Sequence, residues 1–453
     1  MSKEDNAVWR FFASVKLALF VLFILATTSI IGTLIPQNNP PEFYLEKFGP
    51  NLSRLFQVLD FHRMYNSWWF LALLMLFSMN LIICTLERLP NVWRMVVLDN
   101  LATEPERLEK MGQRAVFAAS GAPATLTGPL QQLLKGQGWK ASQTDRPDGT
   151  LLFAQKNAWS RLGVYMVHLS ILVIFVGAIV GTVFGFKAGV LIPEGGSAKE
   201  VYEFGTQRAI PLDFEVRCDR FQIEYYPNGM PKEYVSDLIV VDPRRSGEPL
   251  TKTIEVNDPL SYKGITFYQA SFQAINEFLI QIRNPVTNEE KLFRVPPGQQ
   301  IQWPGSDISF GILSRQDAQR GDETQFKIWF SDGKGEPEVF WMQDATTVDL
   351  SRPDGKFAFS LKQLYATGLQ VAKDPGVWIV YFGCSLMLLG LYAAFFLSHQ
   401  RVWLHLRQEG DNGTRILLSG TSNKNQLGFE RSFTGIAEAI KKHPSFTETE
   451  AAS

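Results

Sequence analysis

Four long runs of apolar residues stand out along this chain. They cover Leu17 to Ile35, Trp68 to about Thr85, Leu162 to Phe186 and Val377 to Leu397. Each run is close to the roughly 20 residues that an α-helix needs to cross about 30 Å of hydrocarbon. The pattern therefore predicts four transmembrane helices.

Two alternatives compete with this interpretation. The first run resembles a secretory signal peptide, but no clear cleavage site follows it and Pro36-Gln37 come directly after it, so we expect it to be retained. Runs of this length also occur as buried core helices. The membrane interpretation is favoured by tryptophans at the run ends, where membrane interfaces concentrate them: Trp68, Trp69, Trp378 and Trp403.

The polar stretches between the runs differ in their patterns. Residues 115–157 are typical of a strand, a helix and a hairpin, which predicts a small α+β insertion. Residues 187–374 hold many short Val, Ile, Phe and Tyr runs punctuated by Pro, Gly, Asn and Asp, including an Asn228-Gly229 hairpin signal. We expect a large β-rich domain there, either a sandwich or barrel-like.

These patterns divide the chain into six parts. The predicted parts are an N-terminal cytoplasmic segment with two transmembrane helices (1–86, helices 17–35 and 68–85), a cytoplasmic α+β insertion (87–160), transmembrane helix three (161–186), an extracytoplasmic β-rich domain (187–374), transmembrane helix four (375–400) and a partly disordered cytoplasmic tail (401–453).

Basic residues at the helix ends predict the orientation. Lys and Arg are frequent before the first and third runs and after the second and fourth, at Lys3, Arg10, Lys16, Arg88, Arg94, Arg146, Lys156, Arg161, Arg401, Arg407 and Arg415. Because such residues stay on the cytoplasmic side, both termini are expected there. The lack of a transit peptide favours a multi-pass protein of the bacterial inner (plasma) membrane over a plastid one.

Composition excludes several function classes. The net charge is -1, so nothing suggests nucleic acid binding. The three cysteines form neither a CxxC nor a CxxCH motif, which argues against a thioredoxin-like redox role and against a c-type cytochrome. HExxH, GxSxG and Walker A motifs are also absent. A complete active site of its own is not supported.

His168 is the candidate functional residue. It lies in the third apolar run, on the cytoplasmic side of the midpoint near Ile174, where an ionisable group is costly. It is either a metal or haem-iron ligand or a histidine hydrogen-bonded to a neighbouring helix. Glycines in the same run, Gly177, Gly181 and Gly185, suggest a packing ridge on the opposite face, which would turn His168 toward another partner.

The other histidines have weaker contexts. His62 precedes the second run at the opposite surface and is either a ligand or simply solvated. His399 flanks the fourth run beside Arg401 and is expected to be an interfacial anchor. His405 and His443 have no special context, and no metal site is predicted apart from haem iron at His168.

Several segments resemble the ResB/CcsB family of cytochrome c biogenesis proteins, in order, from about residue 10 to 408. Two are specific: "VNDPLSYKGITFYQASF" is similar to a signature of the extracytoplasmic domain, and "TGLQVAKDPGVWIVYFGCSLMLLGLYAAFFLSHQRVWL" to the fourth span and its exit. "SVKLALFVLFILATTSIIGTLIPQ", "YNSWWFLALLMLFSMNLIICTLERLP" and "RLGVYMVHLSILVIFVGAIVG" resemble the first three spans.

The resemblance implies a function. Members act with a ResC/CcsA-type membrane protein that carries a WWD motif, and the pair exports haem b and joins it to apocytochrome c. The chain would then be a non-catalytic or co-catalytic subunit of a holocytochrome c synthase complex. His168 matches the span-three histidine implicated in haem ligation, whereas Asn66 stands where many relatives have a histidine.

Two other functions compatible with the sequence remain. One is a membrane-anchored receptor whose β-rich domain binds an extracytoplasmic ligand without haem chemistry. The other is a secondary transporter, which is less favoured because the four runs show no inverted repeat. A haem absorption band in the purified protein with its partner would separate both from the family function.

Overall fold

The computed structural model describes residues 7–226, 230–244, 247–316, 324–410, 412–444 and 446–448. They form two compact units. The first contains the chain up to Ile179 together with the part from Gly376 onward, and the second runs from Val180 to Pro375. Each unit is described by itself.

The helices are numbered along the chain. They are α1 Ala7–Phe12, α2 Val15–Leu34, α3 Pro41–Val58, α4 Trp68–Val97, α5 Pro105–Glu109, α6 Pro123–Gly136, α7 Gly163–Phe184, α8 Val377–Phe396 and α9 Gln426–Lys441. Two 3-10 helices, Phe61–Asn66 and Ala158–Leu162, precede α4 and α7.

The strands follow the same order. They are β1 Gln113–Ser120, β2 Ala141–Arg146, β3 Gly149–Lys156, β4 Phe186–Pro193, β5 Ser197–Glu203, β6 Ala209–Tyr225, β7 Pro231–Val241, β8 Leu250–Ile254, β9 Leu260–Tyr262, β10 Ile265–Arg283, β11 Glu290–Val295, β12 Gln300–Gln302, β13 Ser309–Gln316, β14 Gln325–Ser331, β15 Glu338–Gln343, β16 Thr347–Arg352, β17 Gly355–Lys373, β18 Gln400–Glu409, β19 Gly413–Ser422 and β20 Phe446–Glu448.

Among the described residues, four helices are long and apolar enough to cross a membrane: α2, α4, α7 and α8. The predicted four spans are confirmed. The second is longer than predicted, because α4 does not end near Thr85 but continues to Val97. Glu87 and Arg88 are good helix formers, so polarity ends the apolar run without ending the helix.

Small residues bring α7 and α8 into close contact. A Cβ built on Gly163 would lie 2.7 Å from the Gly390 carbonyl oxygen, and one on Gly383 would lie 3.1 Å from that of Ser170. Gly177 meets the Val380 backbone in the same way. We call Gly163, Ser170, Gly177, Gly383 and Gly390 the small-residue seam; it lets two membrane helices pack backbone to backbone.

The predicted glycine ridge is therefore partly wrong. Only Gly177 belongs to the small-residue seam, whereas Gly181 and Gly185 lie against Asp374 and Lys373. The reason is the seven-residue spacing of the seam, which keeps one face of α7 toward α8 along its length.

A polar side chain ties the end of α2 to the start of α4. The Gln37 amide donates to the carbonyls of Gly32, Ile35 and Phe61 at 3.1, 2.8 and 3.0 Å, and its oxygen accepts from the Met64 N–H at 3.0 Å. These bonds satisfy backbone groups that the end of a helix leaves open. The Ile-Pro-Gln exit of the first span thus has a structural role.

The insertion and the tail fold together as one α+β unit. Six antiparallel strands form the sheet β2-β3-β18-β19-β1-β20, so strands after α8 lie between strands that precede α7. The predicted partly disordered tail is wrong for residues 401–410, 412–444 and 446–448, which lie in or beside this sheet. The middle of β18 and of β19 is buried on both faces, which the polar average of the tail conceals.

Helices cover one face of this sheet. The amphipathic helices α6 and α9 bury their apolar sides against it, through Leu126, Leu130, Leu134, Phe429, Phe433, Ile436 and Ile440. The other face carries a smaller cluster around Leu108 and Trp403. The unit therefore has a core of its own, built from both segments.

The second unit is β-rich, as predicted. Its larger sheet has the order β11-β10-β17-β4-β5-β6-β7-β8, with β9 and β16 pairing at β10 and β17, and a smaller sheet has the order β12-β13-β14-β15. Both sheets are open, and the described strands close no barrel. The predicted Asn228-Gly229 turn lies outside the described residues, although β6 and β7 on either side of it pair antiparallel.

Two buried cores lie along this unit. One is formed by β4–β10 and β17 around residues such as Phe214 and Phe267. In the other, the four-stranded sheet packs on β10, β11, β16 and β17, where the Phe278 and Phe326 ring centroids are 4.8 Å apart. The 19-residue strands β10 and β17 run through both cores.

Candidate functional site

His168 lies on the side of α7 that faces α4. Its Nδ1 is 3.0 Å from the Thr85 Oγ1, and the ring is half-buried. Ile171 and Phe175, three and seven residues further along α7, pack into the apolar cluster of α2 and α4. Residues at this spacing share one helix face, so His168 belongs to the α4 contact.

The small-residue seam lies on the opposite side of α7. Gly177 is nine residues from His168, which corresponds to about half a rotation of the helix. The prediction that His168 then points away from the chain's own bundle is wrong, because α4 of the same chain occupies that side. The third span lies between the second and the fourth and uses both faces.

The Thr85 contact limits what the imidazole can do. Either the hydroxyl donates to Nδ1, or Nδ1–H donates to the hydroxyl oxygen. In the second case Nε2 keeps its lone pair and is available to a metal, with the threonine fixing the ring orientation. Both sequence interpretations, hydrogen-bonded histidine and ligand, are thus compatible at one residue.

A cation and an aromatic ring accompany His168. The Tyr165 ring meets the imidazole edge to face, with centroids 6.1 Å apart. Arg88, one helical turn beyond Thr85, acts electrostatically on both His168 and Tyr165. Arg88 is exposed and forms no hydrogen bond or ion pair with the part of the chain that the structure describes. The site therefore combines an imidazole with an arginine that has no ion-pair partner among the described residues.

His62 lies in the 3-10 helix before α4. Its Nδ1 is 3.3 Å from the Phe56 carbonyl oxygen. Since a carbonyl only accepts, Nδ1 carries the proton and Nε2 keeps its lone pair. Tyr44 packs edge to face on the ring at 6.2 Å. The second predicted candidate therefore has a defined tautomer with one free nitrogen, but it does not meet His168.

His399 is buried, so it does not act as the predicted interfacial anchor. Its Nδ1 accepts from the Arg161 Nε at 2.7 Å, and its Nε2–H donates to the Gln155 Oε1 at 2.9 Å. Burial, with the charges of Arg161 and Arg401, lowers the pKa of His399 to about 4. This histidine is a neutral structural link between the α+β unit and the start of α7.

Other metal or thiol chemistry has little support. In the described ranges, His, Cys, Asp and Glu form no group of three that could hold a metal ion. Cys218 is buried in the β-rich unit, where burial raises its pKa to about 12 and keeps it a thiol.

Sequence reasoning missed Thr85 and Arg88. Both stand on α4 at a spacing of three residues, which places them on one face. The three-residue spacing can be read from the sequence. The sequence does not show which residue of a neighbouring span contacts His168.

The sequence matches the model of the ResB-like family over residues 15–351 and 309–434. The chain belongs to the ResB-like family. It is 32% identical to the cytochrome c biogenesis protein CcsB of Gloeobacter violaceus over 97% of this chain and 92% of that protein. Proteins of the same name from Nostoc sp. and Microcystis aeruginosa are each 30% identical, over 94% and 95% of this chain and 90% and 94% of theirs.

The ResB-like match extends over both units. All four spans, α2, α4, α7 and α8, lie within the matched residues, and so do His62 and His168. The chain is a membrane protein of this family.

Proposed function

We propose that this ResB-like chain works in cytochrome c biogenesis, as a subunit that binds haem b while haem is moved across the membrane and attached to apocytochrome c. Family membership and the names of the relatives support the cytochrome c step. The observation that supports haem binding is the contact between His168 and Thr85 on neighbouring spans.

In this proposal His168 is an axial ligand of the haem iron. Nδ1–H donates to Thr85, and Nε2 faces the iron, which is the arrangement of histidine ligands held by a second hydrogen bond. A ResC/CcsA-type partner with a WWD motif supplies the second ligand and the bond-forming chemistry. The chain itself is then a non-catalytic or co-catalytic subunit of the synthase.

Arg88 fits the carboxylates of the cargo. Haem carries two propionates, and a guanidinium is the side chain that best pairs with carboxylates through two parallel hydrogen bonds. Arg88 has no carboxylate partner among the described residues. It is near enough to His168 for its positive charge to affect the imidazole. A haem bound through His168 with its propionates toward Arg88 would give the imidazole Nε2 a metal partner and the Arg88 guanidinium a carboxylate partner.

The proposed orientation puts both termini and the α+β unit in the bacterial cytoplasm. Arg88, Arg94 and Arg161 flank the spans on that side. Haem would enter near His168 from the cytoplasm, and the β-rich unit on the outer side would meet apocytochrome c. His62, at the start of α4, would lie at the outer surface.

His62 is proposed as a weaker, outer ligand. Its Nε2 lone pair is free, because Nδ1 donates to the Phe56 carbonyl. Thr85 is 17 residues along α4 from Trp68, or about 25 Å. The two histidines therefore suit an inner and an outer position and not one iron.

The test is a His168→Gly variant co-expressed with the partner and purified as a complex. We expect the Soret band of bound haem to be lost, since one axial ligand is missing. Added imidazole should restore the band, because it occupies the cavity that the side chain leaves. Restoration separates ligation from a structural role.

His443→Ala is the matched control, since His443 lies beyond the spans. It should keep the Soret band. An unchanged haem content in His168→Gly would refute the ligand. Normal c-type cytochromes in cells lacking the chain would refute the biogenesis role and support a receptor.

A further inference from the structure

Three arginines gather where α7 begins and α8 ends. Arg161 lies two residues before α7, and Arg401 lies in β18, five residues after α8. Arg107, on α5, completes the group: the carbonyl of the next residue, Leu108, accepts from Ser419 of β19, which pairs with Trp403 of β18. The charges of Arg107 and Arg161 both act on Arg401. These residues form a basic cluster at one end of two antiparallel spans.

A buried imidazole links Arg161 to β3, the strand that pairs with the strand of Arg401. Arg161 Nε donates to His399 Nδ1, and His399 Nε2–H donates to Gln155. Gln155 is the direct neighbour of Arg401 across the β3–β18 pair. The link therefore holds Arg161 beside Gln155, and the strand pairing places Arg401 next to Gln155.

The cluster has no acidic partner among the described residues. In the part of the chain that the structure describes, no carboxylate oxygen lies within 4.0 Å of these three guanidinium groups. The Arg401 Nε is buried without a hydrogen-bond partner, while its guanidinium lies 5.4 Å from the centre of the Trp403 ring. Burial, with the charges of Arg161 and Arg107, lowers the pKa of Arg401. Buried unpaired charge is costly, so an anion should stabilise this arrangement.

The surroundings place the cluster at headgroup depth. Trp159 lies two residues before Arg161 and meets Trp93 edge to face, with ring centroids 5.9 Å apart. Both indoles are exposed. Exposed tryptophans at span ends mark the interface between hydrocarbon and water. The anion closest at hand is then the phosphate of a lipid.

We propose that Arg161, Arg401 and Arg107 form a binding site for the phosphate of an anionic phospholipid. Guanidinium groups bind phosphate oxygens through paired N–H donors, and a basic pocket at the end of transmembrane helices is the typical geometry of such sites. The lipid would join α5, α7 and β18 and fix the α+β unit against the membrane. This site is independent of haem.

The test uses the full chain in phosphatidylcholine vesicles with trace spin-labelled phosphatidylglycerol or spin-labelled phosphatidylcholine. The immobilised fraction of each label measures the preference for the anionic lipid. We expect the wild type to prefer phosphatidylglycerol and Arg401→Gln to lose about fivefold of that preference. Arg107→Gln should act in the same direction, and it threatens folding less because Arg107 is exposed.

Arg415→Gln is the matched control. It removes the same charge from the same sheet, but Arg415 already has a carboxylate partner in Glu109 at 3.2 Å. Equal losses in Arg415→Gln and Arg401→Gln, or no preference in the wild type, would overturn the site. Displacement of the spin-labelled lipid by excess inorganic phosphate would show a site for soluble anions and overturn the lipid proposal.

Discussion

At the scale of residues, the histidines of this chain differ in the partner that each ring nitrogen meets. A carbonyl next to His62 and a guanidinium next to His399 leave one tautomer each. The hydroxyl next to His168 permits two. The partner determines which ring nitrogen keeps an available lone pair, and the position of a histidine in the sequence does not reveal that partner.

Thr85 should act as a positioning residue for His168. Thr85→Val keeps the side-chain shape but removes the hydroxyl, so the ring loses its orienting partner. We expect about tenfold weaker haem retention and a shifted Soret maximum in the purified complex. Thr85→Ser, which retains the hydroxyl, should behave like the wild type; equal effects of both substitutions would contradict the positioning role.

His399 should make the protein sensitive to mild acid. Its pKa is about 4 in the folded chain and near 6.5 in the unfolded chain, so folding disfavours the charged form. The stabilisation is complete above about pH 6.5 and is lost as the pH falls toward 4, by up to about 3 kcal/mol. Thermal unfolding at about pH 7 and about pH 5 measures it.

His399→Gln is the control for that measurement. Glutamine offers an acceptor to Arg161 and a donor to Gln155 but does not titrate in this range. The variant should lose less stability on acidification than the wild type. An identical pH dependence in both proteins would assign the effect to other groups.

At the scale of elements, the membrane helices were the most predictable part. A run of apolar residues is sufficient to identify a span, and all four were found from that signal. The packing of these helices was less predictable, because the spans contain more glycines than the contact between α7 and α8 uses. The small-residue seam includes Ser170, which a search for glycines overlooks, and excludes Gly181.

The small-residue seam can be tested with alanine. In Gly177→Ala the new Cβ would lie 2.8 Å from the Val380 side chain and 2.9 Å from its backbone nitrogen. We expect a loss of about 1–3 kcal/mol in the free energy of unfolding, seen as a lower melting temperature in detergent.

Gly435→Ala is the matched control. Gly435 also lies inside a helix, α9, but nothing lies within 4 Å of its Cβ position. It should be neutral or stabilising by about 0.5–1 kcal/mol, since glycine weakens helix interiors. Similar losses in both variants would argue against close packing of α7 on α8.

At the scale of the whole molecule, the sequence predicted a β-rich unit and an α+β insertion but not the strands that complete the latter. β18 and β19 are separated from β1–β3 by two spans and the entire β-rich unit. Local patterns reveal a strand but not its distant partner. The polar stretch 423–428 and the charged α9 made the tail resemble a linker.

Removal of the tail should therefore unfold the insertion. A chain ending at Glu409 lacks β19, which pairs with both β1 and β18, and also α9. Limited proteolysis should cut it within residues 113–156, which the full chain protects. A chain ending at Glu448 should resist cleavage like the full chain, and equal resistance of both would show that the insertion folds alone.

The interleaved order of the six-stranded sheet also has a consequence for synthesis. β3 and β1 leave the ribosome long before β18 and β19, the two strands that lie between them in the order β3-β18-β19-β1. At ordinary elongation rates the delay is on the order of tens of seconds. During that time the early strands expose apolar surface, so the nascent chain is a natural client for a chaperone. That surface is buried only when β18 and β19 follow α8 out of the ribosome, so the α+β unit completes its fold after all four spans have been made.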